Sequence, residues 1–326
     1  MYDVIVVGAR CAGSPAAMLL AQLGYRVLLC DRASFPSDTV STHLVTIPGV
    51  ARLDRWGLAK RVATSGCPPI ERMTVRLGDA LLTGSPPPVD GVAHQYCVRR
   101  TVLDTILVDA AVEAGAELRE GFVVGELLFE GERVTGVRGR GAGGRPLVER
   151  ARLVVGADGL HSLVAETVGA RRYEERPPLT WCCYAYWSGM ALDGSELHVA
   201  GRRAVSAFPT NDGLSCVSVA WPAAETAAFR ADAEANFVRT VAGLAPGLAA
   251  RMAAGTRVRP LVGTSDLPNF FRQAHGPGWA LVGDAGSSRD PLLAQGIAGA
   301  FRDAELLAEA IDAGLGDAGL GDAGLG

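Results

Sequence analysis

The stretch Asp3-Val-Ile-Val-Val-Gly8-Ala-Arg-Cys-Ala-Gly13-Ser14 decides how the rest of this chain is interpreted. Four apolar residues run into Gly8, a second glycine follows five positions later, and residues 15–23 have helical composition with an apolar stripe. This order predicts a buried strand, a tight turn and a helix. Residues 27–30 predict a second strand, which ends at Asp31. Strand, helix and strand together form a βαβ unit, the beginning of a parallel sheet.

The turn between Gly8 and Gly13 predicts a nucleotide-binding site. A helix N-terminus attracts anions such as a pyrophosphate, and an acid after the second strand, here Asp31 beside Arg32, can accept hydrogen bonds from an adenosine ribose. Arg10 replaces the middle glycine of the G-x-G-x-x-G pattern, which normally lets the backbone approach the pyrophosphate. We therefore predict that Arg10 either contacts phosphate or turns out to solvent. The alternative is a strand, turn and helix whose glycines serve packing alone.

Composition limits the classes of protein and partner. The 326 residues suffice for one large domain or two joined domains with a sizeable core. A net charge of −4 gives no electrostatic reason to expect nucleic acid or an anionic membrane as a partner. We expect no signal peptide, no membrane span and a cytoplasmic location. The seven cysteines are odd in number and lack metal-ligand spacing, so we predict buried thiols and no metal site, with a redox role for Cys182-Cys183 as the less favoured alternative.

Two later strands end in residues that suit the same ligand. Residues 152–156 form an apolar strand that ends in Ala157-Asp158-Gly159, and residues 278–282 form another that ends in Gly283-Asp284. The carboxyl ends of parallel strands lie at one edge of a sheet, so both acids should lie near Gly8. Pro291 and Gly296-Ile297 then precede a long helix rich in Ala and Leu.

The composition changes after Pro177-Pro178, where alternating strands without intervening helices predict an antiparallel sheet. Residues of this sheet, among them His198, and His43 from an earlier loop are candidates for contact with a substrate, although any of them could equally be ordinary core or structural residues. These candidates are His43, Tyr184, Tyr186, His198, Phe208 and Pro209.

With these motifs together, the sequence resembles the FAD-dependent monooxygenases of the aromatic-hydroxylase (para-hydroxybenzoate hydroxylase-like) type and their relatives, the geranylgeranyl reductases. The resemblance covers nearly the whole chain. It implies an α/β fold with a Rossmann-like FAD-binding domain of the GR2 type and an inserted antiparallel-sheet substrate domain. The predicted FAD-binding domain comprises residues 1–69, 95–177 and 256–313, the substrate domain residues 70–94 and 178–255, and a flexible Gly-rich tail residues 314–326.

The resemblance also implies roles for individual residues around FAD. Asp31 should hold the adenosine ribose, Asp284 a ribityl hydroxyl, and Arg99 or Arg100 should lie near the phosphates or the ribityl chain. Asp158 should serve both FAD and pyridine nucleotide access. The turn at residues 294–297 should present backbone N–H groups to the flavin pyrimidine, where a helix N-terminus favours negative charge. The full predicted cofactor set is Gly8, Arg10, Gly13, Asp31, Arg32, Arg99, Arg100, Asp158, Gly283, Asp284, Pro291, Gly296 and Ile297.

The activity that the resemblance implies is hydroxylation of a small aromatic or polyketide-like substrate by O₂, with NAD(P)H as reductant and a flavin C4a-hydroperoxide as the oxygen donor. One alternative is reduction of isoprenoid double bonds, and another is a non-catalytic FAD-binding protein. A flavin halogenase is disfavoured, because the only lysine, Lys60, does not match that group's catalytic lysine and no Trp-x-Trp-x-Ile-Pro motif is present. The sequence leaves the substrate, the acid or base, the choice of NADH or NADPH and the oligomeric state open.

Overall fold

A computed structural model describes residues 1–316 of the protein. The first elements in chain order are β1 (Tyr2–Val7), α1 (Gly13–Gln22), β2 (Val27–Cys30), β3 (Leu44–Val45), α2 (Ile47–Arg55), α3 (Ala59–Ala63), β4 (Met73–Leu77), β5 (Ala80–Gly84), β6 (Tyr96–Cys97), α4 (Arg100–Glu113), β7 (Glu117–Arg119), β8 (Val123–Glu130), β9 (Arg133–Arg140), β10 (Pro146–Gly156), α5 (Leu163–Thr167) and β11 (Arg172–Arg176). The remaining elements are β12 (Thr180–Ser188), β13 (Ser195–Ala200), β14 (Arg203–Pro209), β15 (Ser215–Pro222), α6 (Thr226–Arg230), α7 (Ala233–Leu244), α8 (Pro246–Ala254), β16 (Thr256–Arg257), β17 (Val262–Thr264), β18 (Asn269–Arg272), β19 (His275–Gly276), β20 (Trp279–Leu281), β21 (Ser287–Ser288) and α9 (Gly296–Gly316). Short 3₁₀ turns occupy Ala142–Gly144, Asn211–Gly213, Ala223–Glu225, Gly283–Ala285 and Pro291–Leu293.

A parallel sheet forms the centre of the first domain, as predicted. Its strand order is β19-β20-β10-β1-β2-β7, and all its neighbours are parallel except the β19–β20 hairpin. Val7 lies opposite both Cys30 and Gly156, and Gly156 lies opposite Leu281. The loops that follow these four strands therefore start at the same level on one edge of the sheet.

Strand β10 belongs to two sheets at once. Its first half, Pro146 to Arg150, pairs antiparallel with β9 in a meander, and its second half, Ala151 to Gly156, pairs parallel with β1. The sequence predicts a strand over residues 152–156, and the observed strand begins six residues earlier. Residues 146–151 alternate between exposed and more buried side chains, as on a sheet with one covered face, and residues 153–156 are buried on both faces.

The second sheet has the order β16-β12-β15-β14-β13-β4-β5, with β17 also paired to β12. Its pairs are antiparallel as predicted, except that β13 runs parallel to β4, which comes from a distant part of the chain. The sheet includes Thr256–Arg257 and Val262–Thr264, so it extends past the predicted domain boundary at residue 255. These two short strands pair with β12 and form the edge of the sheet beside it.

The two faces of this second sheet have different neighbours. One face carries Trp181, Ala185, Trp187 and Val205 and packs on helices α6–α8. The other face carries Tyr184, Tyr186 and Cys216 and packs on residues of the first domain, which are Leu44, Ile70, Cys97 and Ala294. Alternation along the strands thus separates a structural core from an interdomain surface.

Helices α1, α2, α4 and α9 cover one face of the parallel sheet, and the meander with α5 covers the other. Helix α9 continues to Gly316, past the predicted end near Ala313. The rest of the predicted Gly-rich tail, residues 317–326, lies outside the described residues. Over residues 1–316, no helix has both the length and the apolar character needed to cross a bilayer.

The cysteines carry free thiols, and all except the partly exposed Cys182 are buried. Cys182 and Cys183 point to opposite faces of β12, and burial raises the pKa of both thiols. This geometry does not favour the redox alternative.

Candidate flavin site

Two glycines shape the turn after β1. Gly8 has φ +103°, and a Cβ there would lie 2.3 Å from the Ala157 carbonyl oxygen. A Cβ at Gly13 would lie 1.7 Å from the Gly8 carbonyl oxygen. Both distances are far below van der Waals contact, so any side chain would displace α1 from the sheet. The turn holds the N-terminus of α1 against the ends of β1 and β10, where an anion can be bound.

Asp31 lies at the end of β2 and is only 9% exposed. Its Oδ2 accepts a hydrogen bond from Ala9 N at 2.7 Å, and its Oδ1 accepts one from Ala33 N at 2.8 Å. These bonds fix the carboxylate beside the glycine turn, and each oxygen retains a lone pair for a ribose hydroxyl. Arg32 is exposed at the same strand end.

Arg10 does not turn out to solvent, and its contact with phosphate stays a prediction. Its guanidinium Nη1 lies 2.7 Å from Asp104 Oδ2, and Nη2 donates to Ser37 Oγ at 2.9 Å. The Asp104 side chain is fully buried and attracts the nearest guanidinium groups. Arg10 therefore connects the turn before α1, the loop after β2 and helix α4.

Asp104 was missed by the sequence analysis. It also accepts hydrogen bonds from Arg100 Nε at 2.9 Å and Nη2 at 3.1 Å, one turn earlier on α4, and from Cys11 Sγ at 3.4 Å. An Arg and an Asp at positions i and i+4 on the apolar side of a predicted helix are a signal that could have identified it. Arg10, Arg100, Asp104 and Cys11 form what we call the guanidinium cluster.

Asp284 follows β20 in the 3₁₀ turn at Gly283–Ala285. The carboxyl group reaches solvent in a cleft lined by Gly283, Gln295, Gly296 and Gly299. The surrounding protein raises its pKa, an effect that the charge of Arg100 opposes. Arg100 thus belongs electrostatically to the nucleotide edge of the sheet.

Asp158 caps helix α5. Its Oδ1 accepts from Ser162 Oγ at 2.5 Å, its Oδ2 accepts from Val164 N at 3.2 Å, and Ser162 Oγ in turn accepts from Ala165 N. Burial raises the pKa of Asp158, although the hydrogen bond from Ser162 lowers it. In this structure the Asp-Gly motif therefore orients a helix, and its partly exposed carboxylate stays at the sheet edge beside Gly8.

Arg99 and Arg100 point to different partners although they are adjacent. Arg99 Nη1 pairs with Asp212 at 2.6 Å, and its guanidinium lies 5.6 Å from the centre of the Tyr186 ring. The backbone N–H of Arg99 donates to Asn211 Oδ1 at 3.0 Å. Arg99 therefore lies on the side of the substrate sheet, and Arg100 on the side of the nucleotide edge.

The substrate-sheet side contains a buried group that we call the His43 cluster, formed by His43, Tyr184, Tyr186 and Phe208. His43 is fully buried with φ +59°, and its Nε2 lies 2.7 Å from the Tyr186 hydroxyl. Its ring lies edge-on to Tyr184 at 5.1 Å between centroids. Ala294, in the left-handed conformation with φ +51°, packs against the same cluster. The loop that leads into α9 thus contacts the predicted aromatic residues.

Burial controls protonation in the His43 cluster. It lowers the pKa of His43 to about 3, helped by the charge of Arg100. It raises the pKa of Tyr184 to about 12 and that of Tyr186 further still. The imidazole and both phenols are therefore neutral at pH 7, and the imidazole tautomer decides which group donates in the Tyr186–His43 hydrogen bond. Nδ1 of His43 is a buried atom without a partner among residues 1–316.

The other two substrate candidates lie elsewhere. His198 is on the face of the second sheet that packs on the helices, because its register partner Val205 belongs to that core. Pro209 follows Phe208 and alternates to the opposite face, beside Ser215. Of the six predicted substrate residues, the structure thus brings His43, Tyr184, Tyr186 and Phe208 together.

The residues at the sheet edge fit FAD. Ser14 Oγ, in the first turn of α1, is buried without a hydrogen-bond partner among residues 1–316, as expected for an atom that faces a bound phosphate. A Cβ at Gly296 or at Gly299 would enter open space in the cleft beside Asp284. Pro291 begins the 3₁₀ turn that leads into this loop, and buried Ile297 anchors the start of α9.

Comparison with known proteins identifies the same ligand. A family described as "FAD binding domain" matches residues 1–321. Digeranylgeranylglycerophospholipid reductase 1 of Methanopyrus kandleri is 30% identical over 308 residues, which cover 91% of this chain and 76% of that protein.

Two solved structures extend the comparison. The myxobacterial chondrochloren halogenase CndH, an FAD-dependent halogenase, has a TM-score of 0.88 and 27% identity, covering 97% of this chain and 75% of that one. PqsL of Pseudomonas aeruginosa, described as "a probable FAD-dependent monooxygenase", has a TM-score of 0.80 and 22% identity, covering 97% and 87%. This last similarity concerns the fold.

Proposed function

This chain belongs to the FAD-binding-domain family of FAD-dependent oxidoreductases, and from its site we propose that it is a monooxygenase that hydroxylates a small aromatic substrate with NAD(P)H and O₂. Bound FAD would supply the electron transfer and the activation of oxygen. The protein's residues would bind the two ligands, exclude water and position protons.

The observation that carries this proposal is the unpaired Nδ1 of His43 in an aromatic environment, and we take Nδ1 to be protonated with Tyr186 donating to Nε2. A buried N–H without a partner costs about 1–3 kcal/mol, which a ligand oxygen or nitrogen would recover. A phenol or an aniline offers such an atom on a flat ring that suits Tyr184 and Phe208. An isoprenoid chain offers no polar atom at its double bonds.

The His43 cluster would also position the substrate through a hydrogen bond. With Tyr186 O–H donating to His43 Nε2, the imidazole keeps its own proton and has its Nδ1–H to donate to a ligand atom. The guanidinium of Arg99 over the Tyr186 ring opposes a second positive charge on His43. This arrangement favours a neutral imidazole that donates a hydrogen bond and positions the substrate.

The nucleotide edge would stabilise negative charge on reduced FAD. The N-terminus of α9 begins at Gly296, next to open space, and a helix of this length has its positive end there. Arg100 adds a buried positive charge whose partner Asp104 fixes its direction. The nucleotide edge would thus bind FAD, and the His43 cluster would bind the substrate.

Reduction of an isoprenoid double bond is the second candidate, because the Methanopyrus kandleri reductase is 30% identical over nearly the whole chain. Such a substrate would need an apolar channel past the His43 cluster, with Phe208 and Ile70 as walls. On this hypothesis Tyr186 would be the proton donor to the reduced carbon atom.

Halogenation has less support, although CndH is similar in fold and sequence. The only lysine, Lys60, is exposed on α3. The adjacent Arg61 pairs with Glu113 at the end of α4, which is roughly 20 Å along that helix from Arg100. Lys60 is therefore far from the His43 cluster, and no lysine is left to react there.

One set of assays separates these functions. The protein is purified with FAD, and NAD(P)H oxidation and O₂ consumption are followed with a panel of phenols and anilines. We expect substrate-stimulated O₂ consumption and a hydroxylated product. Anaerobic saturation of geranylgeranyl groups without O₂ consumption would support the reductase instead, and a halogenated product that requires added halide would support the halogenase. Failure to bind FAD would contradict the whole proposal.

A further inference from the structure

A second cavity lies on the opposite face of the substrate sheet from the His43 cluster. Its volume is about 430 Å³, which is within the range of small-molecule sites. It lies between strands β4 and β13 and the junction of α7 with α8, and its polar lining consists of Arg76, Glu196, His198 and Arg251. None of these residues belongs to the flavin site.

Strand register brings the polar groups of this cavity together. Arg76 is the register partner of His198 on the neighbouring parallel strand, so the two side chains lie side by side on one face. Glu196 precedes His198 by two residues and shares that face. Its carboxylate accepts from His198 Nε2 at 3.1 Å and pairs with Arg251. The hydrogen bond from His198 and the charge of Arg251 lower the pKa of Glu196, so one negative charge is satisfied within the cluster.

The remaining polar groups lack partners. His198 is 8% exposed, and its Nδ1 has no hydrogen bond among the described residues. The buried Nε of Arg251 is likewise unpaired there, and across residues 1–316 the Arg76 guanidinium has no ion pair or side-chain hydrogen bond. Two guanidinium groups and one imidazole thus face a single carboxylate, which leaves an excess of positive charge.

Helix α8 adds donors of the same kind. Its N-terminus, Ala245–Leu248, lines the cavity, and Ala245 at the cap position offers no side-chain acceptor to the free N–H groups of the first turn. The positive end of the helix dipole therefore points at the same space as Arg76. Leu244 and Leu248 make the rest of the wall apolar.

We propose that this cavity binds a small organic carboxylate with an apolar body, at a site separate from the flavin and its substrate. The carboxylate would accept from Arg76 and from the first-turn N–H groups of α8, and its apolar body would contact Leu244 and Leu248. His198, whose Nε2 already donates to Glu196, lies beside Arg76 and would contact the bound molecule through the buried Nδ1 side of its ring.

Histidine NMR tests the proposal on the full-length, FAD-loaded protein. The chain has five histidines, so ring-¹³C labelling gives few signals, and His198→Gln identifies that of His198. Hexanoate is the probe, and hexanamide is its neutral control. We expect hexanoate alone to shift the His198 signal in a saturable way.

Two variants test whether Arg76 contributes to the affinity for hexanoate. Arg76→Gln should weaken hexanoate binding by roughly tenfold, because a charge-assisted hydrogen bond is lost. Arg72→Gln makes the same charge change beside exposed Asp193, outside the cavity, and should leave the affinity unchanged. The proposal is wrong if hexanoate does not saturate the His198 signal, if it shifts His43 instead, or if Arg76→Gln binds as tightly as Arg72→Gln. None of these outcomes depends on the reaction at the flavin.

Discussion

At the nucleotide edge the candidate site is formed mainly by backbone, whereas on the substrate sheet it is formed by side chains. Gly8, Gly13 and Gly283 place main-chain atoms within a few ångströms of one another, and a Cβ at Gly283 would lie 2.7 Å from the Cβ of Ala12. His43, Tyr184 and Tyr186 instead meet through strand register and one hydrogen bond. The nucleotide edge therefore tolerates almost no added atom, whereas the substrate sheet tolerates a change of chemical group with a moderate loss of stability.

The largest expected effect is at Gly13. Gly13→Ala should destabilise the protein by at least about 5 kcal/mol, because its Cβ would collide with the Gly8 carbonyl oxygen. Urea unfolding followed by circular dichroism measures this change. The control is Gly243→Ala, at an exposed position of α7 with no neighbour near the added methyl group, which should stabilise the helix by roughly 0.5–1 kcal/mol. Equal stability of the two variants would show that the turn is not closely packed.

The next effect concerns the guanidinium cluster. Asp104→Asn should cost about 3–5 kcal/mol, because buried Arg100 loses the carboxylate that compensates its charge. The loss is measured as the shift in the urea midpoint, together with the FAD dissociation constant. Glu113→Gln, which breaks an exposed pair at the other end of the same helix, should leave both quantities nearly unchanged. A midpoint for Asp104→Asn that matches that of Glu113→Gln would contradict the importance of the cluster.

The pH dependence of stability tests the His43 cluster. An imidazole in the unfolded chain binds a proton near pH 6.5, whereas folded His43 resists protonation down to about pH 3. Wild-type stability should therefore fall as the pH drops through this window, by up to about 1.4 kcal/mol per unit. His43→Asn suits the positive φ and lacks the imidazole, so the difference in unfolding free energy between the two proteins should shrink from pH 7 to pH 4. A constant difference would mean that His43 is not buried as a neutral ring.

The smallest effect is expected from Tyr186→Phe, which removes the hydroxyl and leaves His43 Nε2 without its partner. The cost in stability should be about 1–2 kcal/mol. Under the monooxygenase hypothesis, turnover with a phenol should fall more than FAD affinity does. Tyr173→Phe, at an exposed residue that stacks on Phe271, is the matched control. Loss of FAD binding in Tyr186→Phe alone would place the His43 cluster in the nucleotide site rather than beside it.

Sequence reasoning succeeded where a motif is local. Gly8, Asp31, Asp158 and Asp284 each follow an apolar strand, and the end of a strand can be predicted from a few neighbouring residues. The guanidinium cluster was missed because its partners come from distant parts of the chain, Arg10 from the turn before α1 and Asp104 from α4. The position of His198 on the helix-facing side of the sheet could not be predicted either. Strand register fixes the face of each side chain, and register depends on pairing between distant segments.

The continuous strand β10 has a consequence for how the protein is made. It joins the meander to a sheet whose neighbouring strand β20 and covering helix α9 are synthesised long after β1. On the ribosome, the βαβ unit, complete at Cys30, must therefore wait for about 250 further residues before β20 can close its sheet. Until then the apolar face of α1 and the free edge of β10 are open to chaperones.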